Sequence, residues 1–140
     1  MIDIEVDVLN EVRKYLKQYE NTVIPLQGLT ISGEAVRTPA SFPFSTLIEK
    51  DNSTNISHRS TAREEDFADV LYEVNVYSNK QFGKKSECRT IASFIDEAMI
   101  GLGFSRISLE PMVNLDDASV YRMVGRYRAS VSKDRVIYRR

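Results

Sequence analysis

The chain predicts an α+β fold: a mixed, mainly antiparallel sheet of about four to five strands packed against two helices, over residues 3–19 and 84–102. Three observations carry that prediction. The run VLYEVNVYS alternates, with Val70, Tyr72, Val74 and Val76 on one face and Glu73, Asn75 and Tyr77 on the other; this is the period of a half-buried strand. After the polar, glycine-bearing NKQFGKK the period changes. Cys88, Ile91, Ala92, Ile95, Ala98, Met99 and Leu102 recur at helical spacing, the apolar stripe of an amphipathic helix. Gly103 then stands where a left-handed cap ends a helix, with Phe104 behind it as a contact for the last turn.

The N-terminal segment carries two signals. MIDIEVDVL alternates like a strand, but Ile4, Val8, Val12, Leu16 and Tyr19 continue at helical spacing after the alternation stops at Leu9. Asp3 suits a cap, and Glu5 and Asp7 suit the positive end of a helix. A helix from Asp3 to Tyr19, ended by Asn21 or Thr22, is expected. Val23 to Thr38 holds Pro25, Gly28 and Gly33 and reads as irregular chain with a brief strand at Leu29–Ile31. Phe42–Glu49 reads as a strand in which Pro43 marks an edge or a start.

Lys50–Asp66 is the longest polar stretch, and Ile56 is its one sizeable aliphatic residue. Loops of this length are uncommon within a compact domain and are usually either functional or disordered, so a surface loop without a role and a segment that orders against a partner are both open. It joins two strands, so a hairpin with a protruding tip is expected. Beyond the central helix, a strand whose alternation is broken at Phe104, Ile107 and Leu109 ends at Pro111. Asn114–Ser119 is turn chemistry, and Val120–Val131 is a strand. Ser132–Arg135 turns, and VIY folds back. At 140 residues one domain is the natural count.

With 19 basic and 20 acidic residues, overall charge argues for neither a nucleic-acid binder nor a membrane-surface protein. The distribution is uneven: residues 122–140 hold seven bases and one acid, whereas the first twenty hold five acids and three bases. No apolar run approaches the ~20 residues of a membrane span, and no signal peptide is expected.

Few residues promise chemistry. His58 is the single histidine and Cys88 the single cysteine; together they cannot supply a structural zinc tetrahedron. The helix period places Cys88 on the buried stripe, which argues against a nucleophile–base pair with His58. Asp96–Glu97 and Asp116–Asp117 are adjacent acids, whose side chains diverge on a helix or strand. GLGF, Gly101–Phe104, has the letters of the carboxylate-binding loop of PDZ domains, but it ends a helix and reads as a cap. No catalytic, cofactor or metal residue is assigned. Arg122, Arg126 and Arg128 share a strand face, and like charges so placed need acids or phosphates. Pairing with carboxylates of a neighbouring strand or subunit is expected. Tyr121 and Tyr127 point away from the arginines, which argues against a stacking platform for RNA.

The strings YEVNVYSNKQFGKKSECRTIASFIDEAMIGLGFSR and NLDDASVYRMVGRYRASV resemble the tail terminator and minor tail proteins of long-tailed phages and prophages of Gram-positive bacteria. The resemblance covers Phe42 to Arg140. It implies a tail-terminator-like α+β fold and a non-enzymatic structural role. It further implies a hexameric ring of identical subunits at the head-proximal end of the tail. The implied partners are the chain itself, the tail tube protein and the head connector protein, with no membrane, cofactor or specific nucleic acid. The implied place is the virion, after assembly in the bacterial cytoplasm. The interface residues expected on this basis are Asp7, Asn55, His58, Arg59, Arg63, Arg122, Arg126 and Arg128. Asp7 would face a neighbour's arginines. The polar loop would reach the tube or a neighbour. Because DNA passes through such a ring, the arginine face is expected to make protein contacts. Two alternatives stand beside this one: a head–tail neck adaptor of similar fold, and a small nucleic-acid-binding domain that uses the basic C-terminal strand.

Overall fold

A computed structural model describes residues 1–36, 39–54, 67–113 and 117–139. The fold is α+β, with three helices and a six-stranded mixed sheet among the described residues. The elements run α1 Glu5–Lys17, α2 Ile24–Gln27, β1 Thr30–Ser32, β2 Phe44–Thr54, β3 Phe67–Ser78, α3 Lys84–Leu102, β4 Ser105–Met112, β5 Tyr121–Ser132 and β6 Ile137–Arg139. The main path is β1-β2-β3-β5-β4, and β6 pairs with β5 beyond the end of β4. Among the described residues β1–β2 is the one parallel pair, and the other pairs are antiparallel.

The alternation in β3 decides which sheet face is covered. Val70, Tyr72, Val74 and Val76 are buried, and register sets them beside Ala129, Tyr127, Gly125 and Met123 of β5. On this face lie α1, through Val8, Val12 and Leu16, and α3, through Cys88, Ile91, Ala92, Ile95, Ala98 and Met99. Each fully buried aliphatic side chain contributes about 1.5–3 kcal/mol against the ordering entropy of its segment. The Tyr72 ring meets Phe104 edge-on at 5.2 Å.

The helix ends follow their residues. Regular helix starts at Glu5, with Ile4 and not Asp3 at the N-cap position and no side-chain cap bond; Asp3 Oδ1, one residue further out, accepts the Glu5 amide at 3.2 Å. Turns tighten after Lys17, and Val23 N–H donates to Tyr19 O at 2.9 Å. Gly103 has φ 110°, a left-handed conformation that costs a side chain strain. Its amide donates to Ile100 O, and the Phe104 amide donates to Met99 O, a Schellman closure.

Four expectations need correction. The polar stretch starts later than its composition suggests, because β2 continues through Lys50–Thr54, past a bulge between Glu49 and Asp51, while paired with β3. Cross-strand hydrogen bonds override the poor strand propensity of DNST. The supposedly irregular segment holds a one-turn helix, α2, with Pro25 in its first turn, where the missing N–H costs nothing. Pro111 does not end β4 but pairs with Met123 on an edge strand, where proline is tolerated. Among the described residues the sheet has six strands rather than four to five. The broken alternation around Ile107 has a physical cause: a bulge between Arg106 and Ser108 leaves Ile107 without a partner in the ladder and half exposed.

Candidate interaction surface

The sheet face opposite α1 and α3 carries no helix among the described residues. Antiparallel pairing of β3 with β5 brings two sequence patterns together there. Tyr77 stands opposite Arg122, Asn75 opposite Val124, and Glu73 opposite Arg126. These residues are joined in a chain. Arg122 Nε donates to Asn75 Oδ1 at 2.9 Å, and Asn75 Nδ2 donates to Glu73 Oε1 at 3.1 Å. Glu73 Oε2 lies 3.4 Å from Arg126 Nε. The Arg122 guanidinium also sits 5.7 Å from the centre of the Tyr77 ring, which lies 6.4 Å from Phe44.

Asn75 and Val124 are buried in the middle of this array. A buried amide needs partners on both its oxygen and its nitrogen, and the two ends of the chain supply them. The Glu73–Arg126 pair is partly exposed, so it adds less than about 1 kcal/mol. Its main effect is to hold charge flat on the face.

Two expected interface arginines, Arg122 and Arg126, are thus brought together by β3 residues. Arg128 is exposed and borders a depression of about 210 Å³ with Asp51, Asp69, Leu71 and Ile107. Asp69 also accepts the Ser130 hydroxyl at 2.8 Å. Asp7 is elsewhere, on α1, where its carboxylate is 3.2 Å from Arg135 of the same chain, both exposed. Asn55, His58, Arg59 and Arg63 lie outside the described residues. As expected, Tyr121 and Tyr127 point away from the arginines, toward the helices. Tyr77 comes from the neighbouring strand instead. Its role was legible in principle, since Glu73, Asn75 and Tyr77 share a face; what was missing was the pairing of β3 with β5.

Hydroxyl–carboxylate bonds tie the covered side together. Tyr15 donates to Glu97 at 2.9 Å, Tyr72 to Glu49 at 3.2 Å, and Tyr127 to Asp96 at 2.8 Å. Burial, followed by the adjoining carboxylate, pushes the Tyr72 and Tyr127 hydroxyls far above the usual phenol range. For Tyr15 the bond to Glu97 is the leading cause. All three stay protonated donors at neutral pH. Asp96 and Glu97 diverge as expected: one reaches β5 and β4, through Tyr127 and Arg106, and the other reaches α1.

Where α1 begins, Glu5 Oε2 accepts the backbone amide of Glu49 at 2.7 Å, and Asn52 Nδ2 donates to Ile2 O at 2.7 Å. The N-terminal segment thereby closes the edge of β2 that β1 is too short to cover. Glu49 itself is raised above the usual carboxylate range, chiefly by burial, with Glu5 and Asp3 adding repulsion. Cys88 is wholly buried, its thiol facing Tyr121 O at 3.4 Å and Val76 O at 3.7 Å. Burial pushes that thiol up to about 12. Asp117 accepts the hydroxyl and amide of Ser119, which hold it below the usual range.

Among the described residues, no cluster of three or more His, Cys, Asp or Glu has metal-ligand geometry, and no helix is long and apolar enough to cross a membrane. Fold and surface together define an α+β domain with one sheet face covered by helices and the other, among the described residues, bare of them. The chain matches no family model and no curated protein.

Proposed function

We propose that the protein is a structural subunit of a phage tail. In this role it is a tail terminator that caps the tail tube as a ring of identical copies, a hexamer by resemblance, and joins tail to head. It would act in the virion through its contacts with itself, the tube protein and the head connector, without catalysis. One observation supports a protein-binding role above the others. The arginine face is held within its own sheet: Asn75 and Glu73 engage Arg122 and Arg126, which leaves Arg128 the exposed member of the three. A face built to grip nucleic acid would present several cations to phosphates, with affinity falling steeply as salt rises. A closed ring needs two different, complementary surfaces on each copy. The bare sheet face and the edge at the end of β4, with Met112 and the adjoining Val113 exposed, offer unlike surfaces of that kind.

The test is genetic and visual. Disrupting the gene in the phage that carries it should leave full heads unjoined to tails of uncontrolled length in electron micrographs. Normal infectious particles from that disruption overturn the proposal. A neck adaptor instead predicts tails of normal length that fail to join heads.

A further inference from the structure

The turn between β3 and α3 holds Phe82 at 81 % exposure, the most exposed aromatic ring among the described residues. Lys80, Lys84, Lys85 and Arg89 flank it, and Gly83, with φ 84°, turns the chain directly behind it. Lys84 Nζ donates to Ser119 O at 3.0 Å, which fastens the turn to the start of β5. A large apolar side chain in water beside a cluster of cations serves no packing purpose within the chain. Aromatic anchors of this kind dominate binding where a pocket receives them.

The chain has a depression of matching character. Leu71 and Ile107 line it with apolar surface, and among the described residues its charged lining is Asp51, Asp69 and Arg128, an excess of acid. It lies on the bare sheet face, whereas the Phe82 turn leads to a helix on the covered face. Seven residues of β3 separate Leu71 from Ser78, a span of roughly 23 Å at about 3.3 Å per residue. Phe82 therefore cannot reach the depression of its own chain.

We propose that Phe82 of one copy inserts into the Asp51–Asp69–Leu71–Ile107 depression of the next, with Lys80 and Lys85 against the two aspartates. The contact is heterologous, since knob and socket are different surfaces, and it propagates head to tail. It rests on the reading above that identical copies assemble, and it names the surfaces that join them.

Two exposed substitutions separate the halves of the contact. Phe82→Ser removes the knob and keeps the socket; Ile107→Arg blocks the socket and keeps the knob. Circular dichroism melts check that both variants fold. Sedimentation velocity of the full chain, from about 10 μM to 1 mM, then reads association. Wild type is expected to form species larger than dimers. Each variant alone is expected to stay monomeric, with association weakened roughly 30-fold or more, the size of a central aromatic anchor. An equimolar mixture of the two is expected to form a 1:1 pair that grows no further, because one knob and one socket remain. Monomeric wild type throughout the range, variants that self-associate like wild type, or a mixture that does not pair each overturn the inference. Rings that persist in the Phe82→Ser variant overturn it and leave the tail proposal standing. Pairing as expected, from a gene whose disruption leaves tails normal, does the reverse.

Discussion

The ring of Tyr127 lies over Gly125, two residues before it on the same strand face. A Cβ on Gly125 would stand 3.0 Å from Tyr127 Cε2 and 3.2 Å from both the Tyr127 hydroxyl oxygen and Leu109 Cδ1. The missing side chain gives the ring its place, and from there the hydroxyl reaches Asp96 on α3 at 2.8 Å. Gly125→Ala should therefore destabilise by about 1–3 kcal/mol, an overpacking cost, because the ring is held at its hydroxyl end. Tyr127→Phe should cost about 1.5–3 kcal/mol through the lost bond to a carboxylate. Urea denaturation measures both, and a cycle that combines them should show coupling. Additive losses would mean that ring position and hydroxyl bond are independent.

Two glycines of the GLGF string should respond with opposite signs. Gly101 lies within α3, and a Cβ there meets nothing within 4 Å. Gly101→Ala should stabilise by about 0.5–1 kcal/mol, the helix propensity difference. Gly103 has φ 110°, and its Cβ would meet Ile137 at 3.2 Å. Gly103→Ala should destabilise by about 1–3 kcal/mol through backbone strain and that contact. Thermal melts of the pair decide it, and a shift of the same sign in both would contradict the cap geometry.

Glu49 gives stability a slope with pH. Its folded value is raised, so burial costs nothing below the unfolded value of 4.5, where the carboxyl is protonated in both states. Stability is then lost as pH rises through the folded value, because the charge must be held beside Glu5 and Asp3. Gln at this position keeps an oxygen for Tyr72 and Asn52 but cannot ionise. Glu49→Gln should match wild type near pH 4 and exceed it at neutral pH, read as the difference between urea midpoints. An unchanged difference across that range would remove the carboxyl as the cause.

The Cys88 thiol, at about 12 against an ordinary 9.0, is neutral at physiological pH. Its thiolate fraction is about a thousandfold below that of the unfolded chain. Iodoacetamide should label native protein only as fast as it unfolds, and label it readily in urea. The sign for stability follows: the contribution is full below 9.0 and is lost as pH climbs toward about 12. Rapid native labelling would place the thiol on the surface instead.

Local periodicity carried far in this chain because burial is on one side. β3 alternates since one of its faces meets helices, and α3 has a stripe since one of its sides meets the sheet. Cys88 followed from the stripe, and the end of α3 from Gly103. The strand VIY and the inward direction of Tyr121 and Tyr127 followed from pattern as well. Local composition failed where distant partners set the outcome. Lys50–Thr54 is polar yet extended, because β3 supplies its hydrogen bonds. Ile107 broke the alternation through a bulge that only pairing with β5 defines. Candidate residues fared similarly: Arg122, Arg126 and Arg128 were legible as one face and Glu73, Asn75 and Tyr77 as another, but the pairing of β3 with β5 that sets the two side by side was not.

The sequence by itself determined α1, β3, α3 and β5, the sides that they bury, and the absence of a second cysteine or histidine, because these depend on residue type and spacing along the chain. Tertiary structure decided which strands became neighbours. That choice turned two arginines that would repel one another, Arg122 and Arg126, into a bridged array with Asn75 and Glu73, left Arg128 exposed, and set a depression that holds two aspartates about a strand's length from an exposed phenylalanine. Strand order is a long-range matter of burying every apolar face at once, and no local window of sequence contains it.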